Sequence, residues 1–158
     1  MKEYKIRGTN YKIRYNDFSG ELTPILFIHG LGCAGSFDYV EVASKMGFTH
    51  RIILVDLLGA GYSDKPLSFK YTVTSHAEYL KEFIDDLDLD KIIIFGHSLG
   101  GPIAIELSNL LKDRIYKLIL SESNLDPSSH GAASFEIGHL DESDLENSFK
   151  IKLMEYER

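Results

Sequence analysis

Ile92-Ile93-Ile94-Phe95-Gly96-His97-Ser98-Leu99-Gly100-Gly101 decides how this 158-residue chain folds. Four apolar residues in a row suit a strand buried on both faces, as in a parallel sheet covered by helices. The glycine-flanked turn then leads directly into residues 102–111, where Ile103, Ala104, Leu107, Leu110 and Leu111 fall on one helical face. Pro102 fits the first turn of that helix, where its missing N–H would have no intrahelical acceptor. Strand, sharp turn, helix is the local unit.

Working outward, the same kind of run recurs at Ile25-Leu26-Phe27-Ile28, Ile52-Ile53-Leu54-Val55 and Leu118-Ile119-Leu120. Helical spacing joins Phe37, Val40, Val42, Ala43 and Met46 over residues 37–46. It also joins Leu80, Phe83, Ile84 and Leu87 over 76–87, with Thr74 or Ser75 as the expected N-cap. Ahead of these, Tyr4 and Ile6, then Tyr11, Ile13 and Tyr15, alternate with polar residues around a Gly8-Thr9-Asn10 turn, which predicts a hairpin. A hairpin followed by strand–helix alternation predicts an α/β fold, a mostly parallel sheet flanked by helices. After Glu122 the pattern changes. Residues 126–131 read as loop, and Asp141 or Ser143 can cap a last helix with Leu145, Phe149, Leu153 and Tyr156 on one face. The expected organisation is a core over 1–122 and a loop-plus-helix tail over 123–158.

Composition narrows the function classes. With 44% hydrophobic and 26% charged residues the chain is globular and not a disordered tail. No apolar run is long enough to span a bilayer, and residues 1–14 do not read as a signal peptide, so no membrane association is expected. A single cysteine, Cys33, excludes an internal disulfide and predicts a cytoplasmic protein. Residues 1–70 carry nine basic and seven acidic groups, the remainder eight and seventeen. That acidic half repels phosphate backbones, so no nucleic-acid partner is expected. Asp85, Asp86, Asp88 and Asp90 read as a solvated helix end, and no carboxylate, histidine or cysteine set recurs at a metal-ligand spacing.

The chemistry lies in the turn. Gly96-His97-Ser98-Leu99-Gly100 is a G-x-S-x-G between a buried strand and a helix, the context the motif requires. A serine hydroxyl is a weak nucleophile and has to be presented, deprotonated and backed by oxyanion donors. The sharp turn presents Ser98 in a strained backbone, and Gly96 and Gly100 remove the side chains that would collide across it. A second strand ends in His29-Gly30-Leu31-Gly32, whose backbone N–H groups, Leu31 foremost, can face a developing oxyanion together with the N–H of Leu99.

These segments, with Asp56-Leu57-Leu58-Gly59-Ala60-Gly61-Tyr62-Ser63-Asp64-Lys65-Pro66 between them, resemble the N-terminal part of the α/β-hydrolase fold family over residues 25–121. The resemblance implies Ser98 as nucleophile and Leu31 and Leu99 as the oxyanion hole. It makes Asp56 a loop-bracing residue. It implies a small-molecule acyl substrate such as an ester, with no metal or organic cofactor. Dehalogenase and epoxide-hydrolase chemistry is disfavoured, because those relatives carry aspartate where Ser98 stands. In this family the acid follows the seventh strand and the histidine the eighth, whereas this sequence shows a hairpin and four parallel strands. The expectation is therefore a core truncated after strand six.

Among residues present, Glu122 follows strand six and is the candidate acid, with His130 or His139 of the tail as base. His97 is expected to point away from Ser98, and His29 to be hydrogen-bonded beside the pocket. His50 is expected at the opposite end of the sheet, and His76 solvated near a helix start. Cys33 reads as a small packed side chain, and Phe37, Tyr39 and Tyr62 as pocket or core. The alternative to a working hydrolase is a catalytically weak fragment or binding module lacking the acid and the histidine. Strand six is expected to be an exposed, apolar edge through which chains self-associate.

Overall fold

The computed structural model describes residues 1–46 and 49–126, together with Phe135, His139 and Asp144. A compact unit spans Met1–Leu125, and the chain beyond belongs to a second unit. The tail helix expected from Asp141 or Ser143, and His130, lie outside the described residues, apart from Asp144.

Six strands form one sheet: β1 (Lys2–Lys5), β2 (Lys12–Phe18), β3 (Leu22–Ile28), β4 (His50–Asp56), β5 (Ile92–His97) and β6 (Ile115–Ser121). Their spatial order is β1-β2-β4-β3-β5-β6. The first two pair as the antiparallel hairpin read from the sequence, and β2 is antiparallel to β4. All pairs among β4, β3, β5 and β6 are parallel. The apolar runs of β3, β4 and β5 feed both faces, because successive side chains point to opposite sides, whereas in β6 Ile119 and Leu120 are exposed. Leu26, Ile28, Ile53, Val55, Ile92 and Ile94 enter one core. Ile25, Phe27, Ile52, Leu54 and Ile93 enter the other.

Helices α3 (Val73–Asp86) and α4 (Gly100–Leu111) cover the first face with Leu80, Phe83, Ile103 and Leu107. The cap of α3 is Thr72, whose hydroxyl accepts the Ser75 N–H, and not Thr74 or Ser75 as expected. Helix formation starts one residue past that threonine because its extended backbone frees the side chain to reach back. The helix expected over 37–46 is two short ones, α1 (Gly35–Asp38) and α2 (Val40–Lys45). Tyr39 breaks it with φ −109° and ψ 3°, turning its ring onto Phe27 and Phe95. Phe37 and Tyr62 are exposed and only Tyr39 is core, so none of the three lines the cleft described below. Among the described residues no helix is long and apolar enough to cross a membrane.

Candidate active site

The turn between β5 and α4 is fixed by what cannot fit there. A Cβ on Gly96 would lie 2.5 Å from the Gly100 carbonyl oxygen and 2.7 Å from the Ala104 Cβ. One on Gly100 would lie 2.3 Å from the Ile28 carbonyl oxygen. Helix α4 therefore starts in contact with both its own strand and β3, and the chain has to reverse within two residues. Ser98 takes that reversal at φ +51°, a left-handed conformation that costs a non-glycine residue on the order of 1–3 kcal/mol.

Neighbouring strand ends hold the turn in place. The Ser98 N–H donates to the Ser121 carbonyl at the end of β6 (3.0 Å), and the Asn124 N–H donates to the Ser98 carbonyl (3.3 Å). His97 directs Nδ1 at the same Ser121 carbonyl, 3.2 Å away, which turns its ring from Ser98. On the other side Gly30 sits against the turn, and a Cβ there would lie 3.1 Å from the Ser98 Cβ. Ser98 itself is half-buried. Among the described residues no side chain hydrogen-bonds its hydroxyl.

Beside the turn opens a cleft of about 630 Å³. Gly30, Leu31 and Leu99 line it, whereas Ser98 adjoins the wall through Gly30 and Leu99. The structure thus brings the two proposed oxyanion residues to one cavity next to the serine. Asp56 is fully buried and braces the loop behind the cleft. Its carboxylate accepts the Ser36 N–H (2.8 Å), the Ser36 hydroxyl (2.8 Å) and the Tyr62 N–H (2.9 Å). Cys33 lines the cleft too, and burial followed by the Asp38 carboxylate pushes its thiol pKa up, away from a reactive thiolate.

Histidine placement carries one correction. His29 is hydrogen-bonded beside the cleft as expected: its Nε2 accepts the Leu57 N–H (3.0 Å), so Nδ1 holds the proton and donates to the Gly30 carbonyl (2.8 Å). His50 bonds the Thr23 carbonyl at the opposite end of the sheet. His76, expected to be solvated, is buried, lines the cleft and bonds Tyr79 Oη through Nδ1 at 2.9 Å. Burial is the main reason its pKa is pushed down to about 4, with His29 adding to it. The signal was in the sequence: His76, Leu80, Phe83 and Leu87 follow i, i+4, i+7 and i+11, the spacing of one helix face.

The candidate acid, Glu122, stands at the end of β6 in a left-handed conformation (φ +47°) with an exposed side chain. No hydrogen bond joins it to a histidine among the described residues. His139 bonds the Phe135 carbonyl (2.7 Å) and stacks on that ring. Among the described residues no three histidine, cysteine or carboxylate side chains converge as a metal site.

A family model described as the alpha/beta hydrolase fold matches residues 23–147, and the chain belongs to that family. It is 33% identical over 112 residues to haloalkane dehalogenase 2 of Mycobacterium tuberculosis, covering 71% of this chain and 38% of that protein. It is 32% identical over 120 residues to 2-hydroxymuconate semialdehyde hydrolase of Pseudomonas putida, covering 75% and 42%. A thermophilic esterase from Thermogutta terrifontis superposes with a TM-score of 0.72 at 25% identity, covering 82% of this chain and 48% of that one. The chain thus spans about two fifths of the length of the two curated relatives.

Proposed function

We propose that this chain carries the nucleophile half of a serine hydrolase acting on an ester or related acyl compound. Ser98 Oγ adds to the acyl carbon, and the N–H groups of Leu31 and Leu99 hold the oxygen that becomes negative. The alcohol leaves with the proton given up by Ser98, and water then releases the acid and restores the serine. The observation that carries this reading is Ser98 at φ +51° in a turn closed by Gly96 and Gly100, against the Gly30 loop. Similarity to a haloalkane dehalogenase does not extend to its chemistry in this reading, because a serine stands at the nucleophile position. Hydrolysis of p-nitrophenyl acetate that drops at least about hundredfold in Ser98→Ala supports the proposal. Equal rates in both proteins reject it.

Glu122 serves as the acid in the same reading, one strand over from Ser98 at the matching end of the sheet. Turnover lowered in Glu122→Gln supports that role, and an unchanged rate removes it. A second reading, a catalytically weak hydrolase-like module, is favoured by the absence of any base on the Ser98 hydroxyl among the described residues. Oxyanion donors and binding alone leave on the order of 10³-fold acceleration in a broken triad, so weak but Ser98-dependent turnover belongs to that case.

Self-association through β6 is the partner reading. In the described sheet β6 pairs only with β5, and Tyr116, Ile119 and Leu120 on it are exposed. Sedimentation that shifts to larger species with concentration, and reverts in Ile119→Lys, supports this. A single monomeric boundary at all concentrations rejects it.

A further inference from the structure

The wall of the cleft contains a polar chain made by Leu58, Tyr79 and His76. The Leu58 N–H donates to Tyr79 Oη (3.1 Å), and this buried hydroxyl has no other acceptor among the described residues, which assigns its proton to His76 Nδ1. A His76 that accepts at Nδ1 and is neutral carries its own proton on Nε2. That Nε2 has no partner among the described residues, and it is not among the polar atoms sealed from solvent. The ring lines the cleft, held edge-on by Phe69 and Tyr79. Backbone, tyrosine and histidine thus end in one N–H exposed on the cleft wall. The cleft is also lined by Leu57, Val73 and Ile103, and by Tyr71, whose ring centroid lies 6.1 Å from that of His76.

We propose that the His76 Nε2–H is a fixed hydrogen-bond donor that selects ligands carrying a neutral carbonyl oxygen, such as an acyl chain with a second carbonyl group. The proposal rests on the cleft being the acyl-binding side of the Ser98 site. A donor of set direction that a bound ligand covers discriminates against analogues lacking the acceptor, because it is then cut off from water and left unpaired. A competing charge on the wall, the Lys65 ammonium, is already tied to the Gly61 and Ser63 carbonyls at 2.8 and 3.1 Å. In an apolar wall a neutral carbonyl is cheaper to desolvate than a carboxylate. Tyr79 is a positioning residue here: it sets the His76 tautomer and touches no ligand.

The test needs no turnover, so it stands or falls separately from the hydrolase reading. Nitrogen NMR of the full chain labelled at histidine reads the His76 tautomer, and titrations with cyclohexanone, methylenecyclohexane and cyclohexanecarboxylate read binding. The expected spectrum is the Nε2–H tautomer, giving way to a mixture in Tyr79→Phe. Cyclohexanone moves the Nε2 resonance, and its affinity falls about tenfold in His76→Phe, while the affinity for the hydrocarbon does not fall. Should His76→Phe not fold, the wild-type response to ketone against hydrocarbon decides. An Nδ1–H tautomer, an Nε2 resonance unmoved by ketone, or carboxylate binding tighter than ketone and lost in Lys65→Met overturns the proposal.

Discussion

The two faces of the sheet are made by alternate residues of the same strands, yet they are covered differently. On one, α3 and α4 seal Leu26, Ile28, Ile53, Val55, Ile92 and Ile94 beneath Leu80, Phe83, Ile103 and Leu107. On the other, the cover comes from Tyr39, between α1 and α2, and Ala43 of α2, while Phe37, Val40 and Val42 face solvent. The apolar runs require cover on both sides, but they do not set how thick each cover is. The thick side also holds the His76–Tyr79 chain and the N-terminal ends of the helices beside the cleft. Stability, pH sensitivity and the site wall are therefore expected to track together on one face.

The largest effect expected from breaking this asymmetry is at Phe83, which is fully buried and packs edge-on to Tyr15. Phe83→Ala should cost about 4 kcal/mol, since a large ring is lost where two covering layers cannot collapse. Acid is the next lever. His76 is held neutral down to about pH 4 in the folded protein, whereas an unfolded histidine titrates near 6.5. Between those values the unfolded chain binds more protons, so stability falls as pH drops through that window, by on the order of 3 kcal/mol at its foot. His29, also lowered by burial, acts in the same direction. Urea midpoints at pH 7.5 and 4.5 measure the loss, and His76→Gln should remove most of it. A flat profile would mean that His76 is accessible to protons in the native state.

Tyr39→Ala on the thin face should cost about half as much as Phe83→Ala, or about 2 kcal/mol, because among the described residues its ring contacts are with Phe27 and Phe95 of the strands. Equal losses at the two positions would erase the asymmetry. The smallest change is expected at Val42, whose replacement by serine should shift stability by no more than about 0.5 kcal/mol.

Much of this was legible in the residues, and the exceptions have physical causes. The runs at 25–28, 52–55 and 92–95 marked parallel strands because a doubly covered strand is continuously apolar, whereas 118–120 forms a parallel strand whose Ile119 and Leu120 are exposed. Ser98 was legible because Gly96 and Gly100 stand where any side chain would meet backbone. His76 was misread because proximity to a helix start was given more weight than its place in the i, i+4, i+7 row. The break at Tyr39 was invisible locally: its cause is the ring contact with Phe27 and Phe95, which are distant in sequence. Of the two tail histidines read as the base, His130 lies outside the described residues and His139 bonds the Phe135 carbonyl.

The central claim is that the turn presents Ser98 as a nucleophile. Fluorophosphonate labelling near neutral pH, with the adduct mapped by peptide mass spectrometry, tests it most directly. One phosphonylated residue, Ser98, is expected, with no labelling in Ser98→Ala. Undiminished labelling of Ser98→Ala, or an unlabelled wild-type protein that is fully folded, would contradict it.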